Sequence, residues 1–157
     1  MPFCRDVDDA CLIPDYTPSH QVPPINNLGN AIIMGSNDSG SLGTGWYPLE
    51  NWPPKVRWTS GKALVYLAWN NEKKLYFSVK SFYFPISITI SANAYSESFL
   101  IKSSEWAGIC MGLSNIVPNP FLTILIEVNP VWIPDDVYMN EDKRSLGIAV
   151  EKIWLAK

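Results

Sequence analysis

The stretch Pro85-Ile86-Ser87-Ile88-Thr89-Ile90-Ser91-Ala92 alternates without a break, with three isoleucines on one parity and Ser87, Thr89 and Ser91 on the other. Successive side chains of a β-strand point to opposite faces, so this pattern makes one buried face and one wet face. A helix would scatter the same isoleucines around its circumference. From Asn30 onward the chain keeps this rhythm, with apolar runs at 31–34, 62–69, 75–80, 99–102, 106–113 and 121–128 between Gly-, Asn-, Ser- and Pro-rich turns. Leu122, Ile124, Ile126 and Val128 share a face, leaving Thr123 and Glu127 opposite. At 62–69 both parities are apolar, which predicts a central strand, and Asn70-Asn71 predicts a hairpin into 75–80. In 146–155 the apolar phase runs through Leu146, Ile148 and Val150, then resumes at Ile153 and Leu155, a slip that predicts a β-bulge near Glu151-Lys152. No window of helical length keeps a 3.6-residue period with suitable caps. The expected fold is all-β, an antiparallel β-sandwich of jelly-roll type over residues 30–157.

Residues 1–29 read differently. Pro2, Pro14, Pro18, Pro23 and Pro24 sit among polar and acidic residues without a sustained period, which predicts an N-terminal arm or linker. At 157 residues, 47% of them hydrophobic, the chain can bury a core without metal or disulfide support. It carries a net charge of −3 and no Lys/Arg cluster, which argues against nucleic acid and anionic membrane as partners. The apolar runs are strand-length, too short to insert across a bilayer. The start of the chain lacks a basic segment followed by an apolar one, so the expected location is cytoplasmic. Cys4, Cys11 and Cys110 are then expected as free thiols, Cys110 in the core. Asn37-Asp38-Ser39 fits a glycosylation sequon, which in a chain without a leader reads as chance.

Catalytic constellations are hard to assemble. His20 lies in the Pro-rich arm and is the single histidine, so no base is held rigidly against a nucleophile. Glu50, Glu105, Glu127, Asp142 and Glu151 supply acids for glycoside hydrolysis on paper, but any domain offers such pairs. Asp135, Asp136, Glu141 and Asp142 cluster before the last strand without the alternation of a calcium loop, and read as a solvated acidic loop. The run 40–45 is Gly-rich but lacks the Gly-Lys-Ser/Thr ending of a phosphate loop. No catalytic residue, metal site or cofactor is expected.

The informative cluster is Gly45-Trp46-Tyr47-Pro48-Leu49-Glu50, Trp52-Pro53-Pro54 and Arg57-Trp58-Thr59, which puts three Trp, a Tyr, an acid and an arginine within fifteen residues. Aromatic faces stack on the C–H face of a sugar while charged and amide groups bind its hydroxyls. Trp46 and Trp58 are expected in the core, with Arg57 paired to Glu50 or Asp142 and lying against Trp58. Trp52, in a Pro-rich turn where a ring is hard to bury, is the best ligand platform. The candidate ligand-binding residues are Trp52, Tyr47, Trp132, Arg57, Glu50 and Asp142, and the expected partner is an oligosaccharide or polysaccharide. The alternative is a structural or protein-interaction sandwich in which the same aromatics only pack.

Gly45-Trp46-Tyr47-Pro48-Leu49-Glu50, Arg57-Trp58-Thr59, Trp106, Trp132-Ile133-Pro134 and the segment Arg144-Ser145-Leu146-Gly147-Ile148-Ala149-Val150-Glu151-Lys152-Ile153 occur in that order. This pattern resembles the small β-sandwich accessory domain appended to glycosyltransferases and related surface-polysaccharide enzymes, and the likeness spans residues 43–155. The closing Arg-x-Leu-Gly-Ile-Ala-Val piece is its most specific part. The resemblance implies a non-catalytic, carbohydrate-associated module. With no glycosyltransferase domain in the chain, it acts alone or in trans with a separately encoded enzyme.

Overall fold

The computed structural model describes residues 4–6 and 28–157. Two five-stranded sheets face each other. The first runs β1 (Cys4–Asp6), β7 (Tyr95–Ile101), β6 (Ile86–Ala92), β9 (Phe121–Asn129), β4 (Lys62–Ala68). The second runs β2 (Ala31–Ile33), β10 (Ala149–Ala156), β5 (Lys74–Lys80), β8 (Ala107–Gly112), with the two-residue β3 (Arg57–Trp58) also pairing with β10. All pairs are antiparallel except β1 with β7. From β4 to β10 the chain passes repeatedly between the sheets, giving the expected antiparallel sandwich of jelly-roll type.

The period-two patterns account for the core. In β6 the isoleucines point inward and Ser87, Thr89 and Ser91 lie on the half-exposed face, where the Thr89 and Ser98 hydroxyls hydrogen-bond at 2.9 Å. Val65, Leu67, Phe99, Leu122, Ile124 and Ile126 join the isoleucines from the first sheet. Leu75, Phe77, Val79, Ile109, Met111 and Ile153 meet them from the second. The predicted bulge is present: the β10–β5 register shifts between Val150 and Lys152, which keeps Ile148, Val150, Ile153 and Leu155 in one core.

Several expectations need correction. β4 and β5 form no hairpin: β4 pairs with β9, β5 with β10 and β8, and the Asn70-Asn71 turn carries the chain from one sheet to the other. β4 is also an edge strand rather than a central one. Its second apolar set is half-covered by the segment 41–46, where Leu42 bridges Val65 and the Trp46 Nε1–H donates to the Leu64 carbonyl at 2.9 Å. The strand expected at 99–102 is β7, which begins at Tyr95 after a tight Asn93-Ala94 turn. Among the described residues there is one short helix, α1 (Pro134–Tyr138), five residues long and burying only Pro134. Cys110 is disulfide-bonded, so it is not the free thiol expected of it.

Within the span read as an arm, Cys4–Asp6 forms β1, while His20 and Cys11 lie outside the described residues. Asn37 of the sequon is committed to the fold: its Oδ1 accepts from the Ile33 N–H at 2.6 Å and its Nδ2 donates to the Ala31 carbonyl at 3.1 Å. Among the described residues no helix is long and apolar enough to cross a membrane.

Candidate functional site

Where β5 and β9 end and β10 begins, three connections converge: 34–56, 81–85 and 130–148. In the first, Glu50 and Val56 exchange backbone hydrogen bonds of 2.9 and 3.1 Å, closing a short loop that folds Trp52 back over Trp58. Trp52 meets Trp58 edge-on at 5.8 Å between ring centroids and stacks on Phe82 at 5.4 Å. Trp58 touches Trp132 at 5.6 Å. Trp132 is fixed by its bridge to Leu146 and by its Nε1–H, which donates to the Gly147 carbonyl at 3.3 Å. The result is an aromatic floor, separate from the main core, with Val56, Leu146 and Ala149 behind it.

A charged wall stands beside this floor. Arg144 donates through Nε and Nη2 to the two carboxylate oxygens of Asp142 at 2.9 and 2.7 Å, and through Nη1 to Glu50 Oε2 at 3.0 Å. The other Glu50 oxygen accepts the Trp52 indole N–H at 3.0 Å. One carboxylate therefore ties the Trp52 turn to the loop that carries Arg144. The guanidinium lies over the Tyr47 ring at 5.4 Å, and the Tyr47 hydroxyl donates to the Ser145 carbonyl at 3.0 Å. Hydrogen bonding from Arg144 holds the Asp142 carboxyl below its ordinary range, and Asp142 and then Glu50 push the Arg144 guanidinium above its own. Between floor and wall lies a cleft of about 180 Å³ that also reaches Tyr138 and Asn140.

A general acid for glycosidic cleavage needs a raised pKa, and Asp142 is shifted the other way. Of the other acids, Glu50 shares the cleft and is held on Arg144, while Glu105 is exposed ahead of β8, Glu127 on β9 faces Lys62 at 3.7 Å, and Glu151 accepts from the Ser78 hydroxyl on β5 at 2.9 Å. Asp135 accepts the Glu141 N–H at 2.7 Å and pairs with Lys143 at 3.4 Å. Among the described residues no group of His, Cys, Asp or Glu has the grouping of a metal site.

No family model matches the chain, and no curated protein matches it. One solved structure that it resembles is a family 6 carbohydrate-binding module, at 11% identity and a TM-score of 0.47, covering 82% of this chain and 94% of that one.

Of the six candidate residues, Glu50, Trp52, Trp132 and Asp142 line the cleft. Tyr47 stands behind the wall, under Arg144. Arg57 is elsewhere: its Nε donates to Asp38 at 2.6 Å and its Nη1 to the Tyr47 carbonyl at 3.3 Å. The expected pairing of Arg57 with Glu50 or Asp142 is therefore wrong, because Arg144 occupies both carboxylates and Asp38 is the buried anion that needs Arg57. The sequence reading missed Arg144 as a cleft residue, along with Phe82, Tyr138 and Asn140. Arg144 stood in the quoted motif, and the aromatic triplet Phe82-Tyr83-Phe84 between two strands was a legible signal.

The motif residues themselves form the strut beneath the cleft. Thr59 binds the Gly147 and Ile148 backbone through three hydrogen bonds of 2.7–3.1 Å, and Trp46 bridges Thr59 from the other side. Gly147 packs so closely on Thr59 and Ser60 that a Cβ there would overlap the Thr59 hydroxyl and the Ser60 carbonyl.

Proposed function

We propose that the protein is a non-catalytic glycan-binding module whose ligand lies in the cleft between Trp52 and Arg144. The observation that carries this reading is one concave surface combining a packed aromatic floor with a fixed row of hydrogen-bonding groups, Glu50, Arg144, Asp142 and Asn140. Such a surface suits a ring with one apolar face and hydroxyls around its rim. The wall groups are held by each other before any ligand arrives, so little ordering is required on binding. The resemblance in sequence to polysaccharide-enzyme modules makes a glycosyltransferase the natural partner of such a module. The disulfide at Cys110 favours an oxidising compartment over the cytoplasm, since thiols stay reduced in the cytosol.

The second reading, a sandwich whose aromatics only pack, draws on the burial of Trp58 and Trp132. Trp52 separates the two, being half-exposed over the cleft. A glycan array followed by calorimetry on the best hit, with wild type and Trp52→Ala side by side, tests the proposal. The expected result is binding with Kd of roughly 10 μM to 1 mM, lost in Trp52→Ala while the thermal melt persists. Binding that survives the substitution unchanged removes the cleft as the ligand site.

A further inference from the structure

We propose that the cleft continues into a longer track, and that Tyr138 forms a second platform holding the next unit of an extended glycan chain. This rests on the glycan-binding reading and goes beyond it, to the length of the ligand. The starting observation is where the exposed apolar side chains lie. Among the described residues eight large hydrophobics are exposed, and six of them, Tyr83, Phe84, Val131, Val137, Tyr138 and Met139, sit on the two loops beside the cleft. Single exposed hydrophobics are ordinary, but six gathered on two loops beside a polar-rimmed cleft point to an interaction surface.

Geometry selects Tyr138 from that group. Its ring meets Trp132 edge-on at 6.2 Å, it lines the cleft, and it is 52% exposed. Trp52, Trp58, Trp132 and Tyr138 thus make a continuous series of rings with centroid steps of 5.6–6.2 Å. Tyr83 stacks on Trp132 at 6.3 Å and 11°, so Trp132 is held between the Tyr83-bearing loop and Tyr138.

The loop carrying Tyr138 is also braced. The Met139 N–H donates to the Asp135 carbonyl at 3.0 Å, and the Asp135 N–H to the carbonyl of Asp142 at 2.8 Å. Asp142 is the residue that grips Arg144, so platform and wall are held in one frame. The Tyr138 hydroxyl and the Asn140 amide can each donate and accept hydrogen bonds, which suits the hydroxyls of a sugar.

Calorimetric titration of the full chain with malto-, cello- and laminari-oligosaccharides, from mono- to hexasaccharide, tests this, using wild type, Tyr138→Ala and Trp52→Ala. Wild-type affinity should climb about tenfold between disaccharide and tetrasaccharide, the gain of roughly one added stacked ring. Tyr138→Ala should weaken the tetrasaccharide about tenfold more than the disaccharide, so that the climb is lost. Trp52→Ala should weaken every length. Matching melts for wild type and Tyr138→Ala show that the effect is not unfolding, because Tyr138 lies on a helix that buries only Pro134. A wild-type ladder that is flat with length, or a Tyr138→Ala loss equal at every length, overturns the extended track while leaving glycan binding intact. The track also falls if wild type self-associates through this patch and Tyr138→Ala abolishes the association without touching sugar affinity. Absence of binding at any length in wild type, together with a blank glycan array, instead removes the glycan-binding reading, and the track with it.

Discussion

Replacing Arg144 with alanine leaves Glu50 and Asp142 facing each other across the space its guanidinium filled. Two limits bracket the cost. A solvent-exposed pair contributes about 0–1 kcal/mol, whereas removing one partner of a buried pair costs about 3–5 kcal/mol. Arg144, Glu50 and Asp142 are 34%, 27% and 25% exposed, between those limits, and two pairs are lost at once. A destabilisation of about 2 kcal/mol follows, which for a domain of this size lowers Tm by roughly 4–8 °C. Near-ultraviolet circular dichroism melts read it directly. Glu50→Gln supplies a change of sign. In wild type it weakens the pair with Arg144 and should destabilise, while in the Arg144→Ala background it removes one of two like charges and should stabilise. Arg144→Lys should recover less than half of the loss, because an ammonium cannot make the two-pronged contact with Asp142. Arg144→Ala within about 0.5 kcal/mol of wild type, with Glu50→Gln harmless in both backgrounds, would refute the claim that this wall is held in place by its own charges.

Arg57→Ala should cost more, on the order of 3 kcal/mol in urea unfolding, since it strands Asp38, whose side chain is only 8% exposed, whereas Lys73→Ala should cost nothing measurable. Gly147→Ala forces a methyl into the Thr59 hydroxyl and the Ser60 carbonyl, and should cost about 3 kcal/mol or prevent soluble expression. The acid limb of stability reports on Asp142. Its folded pKa lies below the ordinary 3.8, so its stabilising contribution is fully present above that value and is lost as pH falls through the lower folded one. Wild type and Asp142→Asn should therefore differ by a constant amount at neutral pH and converge only in strong acid; curves that converge by about pH 6 would contradict the shift.

The sequence was most legible where local patterning and tertiary packing agree. The isoleucines of β6 and the phase slip at Glu151-Lys152 both survive intact, because a period of two leaves a strand little choice of face. The Asn70-Asn71 turn misled, since turn chemistry alone does not say whether the next strand returns to the same sheet or crosses to the other. Tyr95-Ser96-Glu97-Ser98 went unread as strand because that half of β7 is half-exposed and polar on both sides. The aromatic cluster was visible as a candidate site, but its arginine was not: Glu50 and Arg144 are 94 residues apart, and Arg57 lies nearer in sequence. Asp38 decides that competition, and its burial is a tertiary fact.

The most direct test of the central claim uses the chain's seven tryptophans as reporters, through their indole N–H signals in a 15N-edited NMR titration with the best array hit. The Trp52 N–H sits on Glu50 at the cleft, while the Trp69 N–H is buried on the Glu72 carbonyl near the opposite end of the sandwich. Ligand in the cleft should shift the Trp52 signal most and Trp132 next, leave Trp69 in place, and saturate at the Kd found by calorimetry. Saturable binding that moves Trp69 and leaves Trp52 and Trp132 unshifted would contradict the account.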